Sequence, residues 1–204
     1  MFLKQLFLLY SAAYAASCPP FSNDLAYYSP NFQQPQPPQV KASFKASFVQ
    51  HKWNANLSHI TAGYLYNSPP QKLVRADEAY EGGLASSLFD YNNVTKDGLV
   101  DNTLTSVYKD FTKPDVWRGY VNSNFPLIPE SFLTDAGAVF SGLTKRQFIP
   151  GQVASWSILY QGVIPVTVFV DACNTVVGYE YFFPVERTHV TTSFFNIDTE
   201  SVNI

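Results

Sequence analysis

Val40-Lys-Ala-Ser-Phe-Lys-Ala-Ser-Phe48 sets Val40, Ala42, Phe44, Ala46 and Phe48 in strict alternation with Lys41, Ser43, Lys45 and Ser47. Successive side chains of a strand point to opposite faces, so this is the pattern of a β-strand with one dry and one wet face. The same period follows in Ile60, Ala62, Tyr64 and Tyr66, which ends at the turn signal Asn67-Ser-Pro-Pro70. Leu73 to Tyr80, Gly82-Gly83 and Leu84 to Tyr91 read as a hairpin, because paired glycines supply the positive φ of a tight turn. Asn92 to Asn102 is polar and reads as a loop. Leu104 to Phe111, Lys113-Pro-Asp115 and Val116 to Val121 give a second hairpin.

One stretch departs from period two. In Glu130 to Leu143 the apolar residues Phe132, Leu133, Ala136, Val139, Phe140 and Leu143 fall at helical spacing behind Pro129, which predicts one amphipathic helix interrupted by Gly137. Strands then resume at Arg146 to Ile149, Ala154 to Gln161, Val166 to Ala172, Val176 to Phe183 and His189 to Ile197. Short connections favour an antiparallel meander. The fold class expected is mainly β (α+β): a strongly curved antiparallel sheet forming a half-barrel or barrel, since twist accumulates over some ten strands, with the helix covering its concave face. Such a cup holds more interior than ordinary side chains fill.

The N-terminus predicts the compartment. Met1-Phe-Leu-Lys4 supplies a positive n-region, Leu6 to Tyr14 an apolar stretch too short to span a bilayer, and Ala13-Tyr-Ala15 or Tyr14-Ala-Ala16 the small residues of a cleavage site. Residues 1–16 therefore read as a secretory signal. A lipoprotein signal ending at Cys18 is the alternative, with Ala15 where leucine is usual. Residues 17–39, with Gln33-Gln-Pro-Gln-Pro-Pro-Gln39, form a Pro-rich strap or linker, and 40–204 a single β-rich domain.

In an oxidising compartment the two cysteines, Cys18 and Cys173, are expected to form one disulfide. Asn56-Leu-Ser58 and Asn93-Val-Thr95 fit the glycosylation acceptor pattern. The formal charge of −3 gives no reason to expect nucleic acid or an anionic membrane as partner. No apolar run is long enough to span a bilayer. The sequence carries no signal for an oligomeric state.

Phe44-Lys-Ala-Ser-Phe48, Gly63-Tyr-Leu-Tyr66, Lys72-Leu-Val-Arg75-Ala-Asp77 and Leu88-Phe-Asp-Tyr91 together resemble the half-barrel superfamily of bacterial lipoprotein carriers (LolA- and LppX-like) and the ependymin-related proteins. The resemblance covers roughly Val40 to Ile197. It implies a sheet wrapped around a helix, a cavity for lipids or other apolar molecules, and no catalysis.

The chemistry-bearing residues point the same way. His51, His59 and His189 form no i, i+2 or i, i+4 pair, so no metal site is expected, and no cofactor motif is present. Asp77, Glu78, Asp90, Asp171 and Glu180 lie on or near predicted strands, where two facing carboxylates would suit glycoside chemistry. Asp77 and Glu78 point to opposite faces, and Arg75 and Arg118 are natural ion-pair partners. No Gly-x-Ser-x-Gly elbow and no phosphate loop occurs. Aromatics make up 16% of the chain against 14% charged residues, so many rings must either fill the interior or line a surface that meets something apolar or sugar-like. The candidate lining is Phe44, Phe48, Tyr64, Tyr66, Trp117, Phe132, Phe140, Trp156, Tyr181 and Phe183, with Trp53 a further aromatic that is core or lining. The expected function is a secreted, non-catalytic protein binding a lipid or other hydrophobic small molecule. A carbohydrate-binding or glycan-processing protein and a structural wall or matrix component are the alternatives.

Overall fold

The structure, a computed structural model, describes residues 18–26, 29–109, 112–200 and 202–204. The expected signal segment, 1–16, lies outside them. The described residues hold eleven strands: β1 (Phe44–Asn54), β2 (Leu57–Ser68), β3 (Leu73–Tyr80), β4 (Gly83–Val94), β5 (Val100–Tyr108), β6 (Asp115–Val121), β7 (Val139–Thr144), β8 (Val153–Tyr160), β9 (Ile164–Val170), β10 (Val176–Phe183) and β11 (Thr188–Asp198). They form one antiparallel sheet in the order β6-β5-β4-β3-β2-β1-β11-β10-β9-β8-β7. The chain steps outward from β1 to β6, then returns from the opposite edge, β7, to β11 beside β1. Residues 122–138 therefore have to join the two edges of the sheet.

That connection crosses the inner face. Tyr91 on β4 donates to Phe125 O and Tyr179 on β10 to Asn124 O, each at 2.7 Å. The two strands are five places apart in the sheet, and their register sets the tyrosines eight residues apart along the strand direction. A flat sheet would separate them by about 24 Å across and about 26 Å along the strands. Two phenols reaching neighbouring carbonyls thus require a strongly curved sheet closed around the segment. Close backbone approaches permit this curl. A Cβ at Gly63 would lie 1.8 Å from Asp77 O, and one at Gly178, beside the β9–β10 bulge, 2.3 Å from Thr192 O.

The core lies between the concave face and the crossing segment. Phe125 packs its ring against Phe48 at 5.3 Å and Phe89 at 6.3 Å. Asn67, fully buried on β2, holds the segment by its amide: Nδ2 donates to Ala42 O and Ile128 O, and Oδ1 accepts from Ile128 N. The strap folds back on the β7 edge, where Phe32 stacks on Phe140 at 6.4 Å and Gln34 Nε2 donates to Phe140 O. Cys18 and Cys173 are joined, with Cα atoms 5.3 Å apart.

Four expectations need correction, the first being the loop over 92–102, which shrinks to 95–99 because β4 runs to Val94 and β5 starts at Val100. The helix predicted over 130–143 is one turn, α1 (Phe132–Asp135). Gly137, at φ 59°, ends it, with Ala138 N donating to Leu133 O and Gly137 N to Thr134 O, the two bonds of a Schellman cap. Beyond the cap, Val139 to Thr144 is strand β7, in which Phe140 is buried and Val139 and Ser141 are exposed. Apolar residues at 139, 140 and 143 satisfy either period, and pairing with β8 decides it. Residues 146–149 form a turn rather than a strand, closed by Ile149 N to Arg146 O. On β2 the inward residues are Gly63, Leu65 and Asn67, so Tyr64 and Tyr66 face out. A polar inward Asn67 disguised that register.

Candidate functional site

The strands that return toward β1 carry inward side chains in rows. The pairings set Lys52, Val190, Tyr181, Val166 and Ile158 side by side across β1, β11, β10, β9 and β8. One row deeper stand Thr192, Tyr179, Val168 and Trp156; toward the mouth, Thr188 and Phe183. Short β-branched residues on β9 leave room beneath the crossing segment, and a cavity of about 110 Å³ lies there. Its floor is Ile158, Val166, Val168 and Val176, and its roof is Pro126, Ile128 and Phe132. A water needs about 10–15 Å³ on the same measure, so the space takes several waters or the end of a hydrocarbon chain.

Polar groups gather on the segment and at the mouth. Tyr181 donates to Asn124 Oδ1 at 3.2 Å, while Tyr179 is committed to Asn124 O. Burial pushes the Tyr179 phenol well above its ordinary value and that of Tyr181 up to about 12, with the Glu186 charge adding to the latter. Burial also raises Tyr160. These phenols stay protonated at physiological pH, and Tyr179 and Tyr181 donate to Asn124. Lys52 and Glu186 bring opposite charges to the mouth, Lys52 half-buried and Glu186 exposed.

The expected lining residues divide into four groups. Phe132, Tyr181 and Phe183 line the cavity. Phe44, Phe48, Phe140 and Trp156 face inward but are core, fully packed against Phe194, Phe125 and one another. Tyr64 and Tyr66 stand on the outer face with Lys45 Nζ over both rings and Arg75 over Tyr66. Trp117 lies on edge strand β6, 45% exposed, its ring occupying the space where a Cβ on Gly119 would go. Ile158, Val166, Val168 and Lys52 were not anticipated. The alternation Val166, Val168, Val170 with Thr167 between marks β9, but nothing in one strand shows which partner rows it joins.

The carboxylates do not converge. Asp77 faces out, bonded to Arg75 at 2.9 Å and Ser86 at 2.6 Å. Glu180 pairs with Arg146 on the outer face at 3.6 Å. Asp171 Oδ1 accepts from Cys173 N and Thr175 N in a turn, and Asp90 bonds Asn92. Glu78 alone of the five faces inward, where burial raises its carboxyl. Arg118 bonds Thr103 rather than an acid. His51 and His189 both pack on Trp53 on the outer face. Among the described residues no three His, Cys, Asp or Glu side chains are placed to hold a metal ion, and no helix is long and apolar enough to cross a membrane.

A wider cleft of about 630 Å³ lies beside the disulfide, between the strap at Pro20 and Phe21 and the turn at Phe148. It lies between these loops and the ends of β10 and β11, with Lys41, Asp171 and Asn196 interleaved among the rings. The concave cavity is walled by five strands, β1 and β8 to β11, and a hydrogen-bonded segment. Asn56 is exposed in the β1–β2 turn; Asn93 is exposed on β4, its amide donating to Asp101 and accepting from Tyr120.

No family model and no curated protein matches the chain. Among solved structures it is similar to a DUF1329 family protein from Desulfovibrio piger ATCC 29098, with a TM-score of 0.34 and 7% identity over 80% of this chain and 88% of that one. It is also similar to a LolA superfamily protein, NE2245, from Nitrosomonas europaea, with a TM-score of 0.27 and 7% identity over 82% and 90%. Both likenesses concern the course of the chain; the site is read from its own residues.

Proposed function

We propose that this is a secreted, non-catalytic binding protein that takes the apolar part of a lipid or other hydrophobic small molecule into the concave cavity. The observation that carries this is the space over Val166, Val168 and Ile158 left unfilled beneath Pro126 and Phe132. Apolar walls bind by removing hydrocarbon from water, at about 25 cal/mol per Å². A few hundred Å² of ligand surface then gains several kcal/mol before ordering costs, which reaches the micromolar range. Tyr181 and Asn124 fix each other at the rim and give the pocket a shaped edge. The Cys18–Cys173 bridge supports the secreted assignment. In a glycosylating host Asn56 is the better acceptor, because its side chain stands in a turn while both ends of the Asn93 amide are engaged.

The test is titration with N-phenyl-1-naphthylamine, a neutral probe that brightens in apolar surroundings. Saturable binding is expected for wild type and for Tyr64→Ala on the outer face. Val166→Trp, which fills the cavity, is expected to abolish it with the far-ultraviolet circular dichroism spectrum unchanged. Absence of saturable binding to the wild type would defeat the proposal, as would full binding by Val166→Trp.

A further inference from the structure

Along β1 the inward residues run Phe44, Ala46, Phe48, Gln50, Lys52, from the core to the rim. Gln50 is buried and satisfied, its Nε2 donating to Thr192 Oγ1 at 3.0 Å. Lys52 is different: it is half-buried, it lines the cavity, and among the described residues no carboxylate lies within ion-pair distance of it. An ammonium on the inner face of a sheet is desolvated in part and seeks an anion. Glu186, the other charge at the mouth, is exposed in the turn beyond β10 and hydrated.

The pairings place this cation at one end of an otherwise apolar row, with Val190, Tyr181, Val166 and Ile158 following in order. Four strand spacings set an upper limit of about 19 Å on that row, which the curl of the sheet shortens on its inner face, and the cavity along it takes the end of an alkyl chain. We propose, building on the binding function above, that the ligand is a fatty acid or similar alkyl carboxylate, with its head on Lys52 and its chain along Tyr181, Val166 and Ile158. The Tyr181 phenol, held protonated and turned to Asn124, presents no competing charge along the row. Specificity for the head then comes from Lys52 and affinity from the chain.

Displacement of N-phenyl-1-naphthylamine by laurate, dodecanol and dodecylammonium, which share one chain and differ in head, separates the two contributions. Laurate is expected to displace the probe from wild type at about tenfold lower concentration than dodecanol, the effect of one charge-assisted contact, with dodecylammonium the weakest. Lys52→Met is expected to bring laurate level with dodecanol; Lys52→Arg is expected to keep the preference. Lys52→Gln serves alongside, each variant being checked for fold by circular dichroism. Equal displacement by laurate and dodecanol in wild type overturns the carboxylate assignment while leaving the apolar site standing. So does a Lys52→Met variant that loses both ligands equally, or a preference for dodecylammonium. Failure of the probe itself to bind wild type is the separate result that removes the binding function, and this assignment with it.

Discussion

Asn67 and Ile128 meet as two strands would: the side-chain amide of one donates to the backbone carbonyl of the other at 2.8 Å and accepts from its N–H at 3.1 Å. A third bond, to Ala42 O at 2.6 Å, ties the same side chain to the start of the domain. The crossing segment is thereby docked on a sheet with which it forms no ladder.

Replacing Asn67 by Leu strands three buried backbone groups, each costing about 1–3 kcal/mol. A loss of at least about 3 kcal/mol in urea unfolding is expected. Asn67→Asp, which keeps the acceptor and removes both donated bonds, is expected to lose a comparable amount at neutral pH.

Gly63 admits no side chain, because a Cβ would sit 1.8 Å from Asp77 O on the neighbouring strand. Gly63→Ala forces β2 and β3 apart at the place where the sheet curls. Thermal unfolding is expected to show a loss of about 3 kcal/mol or more, the upper end of overpacking costs. A near-neutral substitution would show that the sheet accommodates a flatter course.

Glu78 gives a pH-dependent signature. Burial raises its carboxyl above 4.5, so its contribution to stability is present below that value and is lost as pH rises through the higher folded value. Glu78→Gln is expected to be more stable than wild type near pH 7. The gap should narrow toward about pH 4, which denaturant midpoints measured across the range will show.

The disulfide spans 155 residues of sequence. The chain-entropy model gives such a closure about 4–5 kcal/mol as an upper figure. The Cys18→Ser, Cys173→Ser double variant is expected to lose about 3–5 kcal/mol in urea unfolding. An unchanged midpoint would mean that Phe32 on Phe140 holds the strap unaided.

The hairpin at Gly82 and the strand Val176–Phe183 were legible residue by residue, because turn chemistry and period two agree there. Tyr64 and Tyr66 misled because amphipathic rings tolerate an outer face while a small amide, Asn67, takes the buried place. Phe140 misled because three apolar residues fit both periods. The cavity was legible only in part. Phe132, Tyr181 and Phe183 were named from composition and pattern, but the gap beside them depends on which rows pair across β8, β9 and β10. It also depends on a segment, 122–131, that has no period to read.

The strand order also bears on biosynthesis. β1 ends at the centre of the sheet, yet its second neighbour, β11, is made after all the other described strands. At about 5–20 residues per second, β1 waits on the order of ten seconds with one flank open, exposing an edge that carries Phe44 and Phe48. The most protected strand of the finished molecule is its most vulnerable one during synthesis, and a nascent chain of this topology leaves that flank open until β11 has emerged.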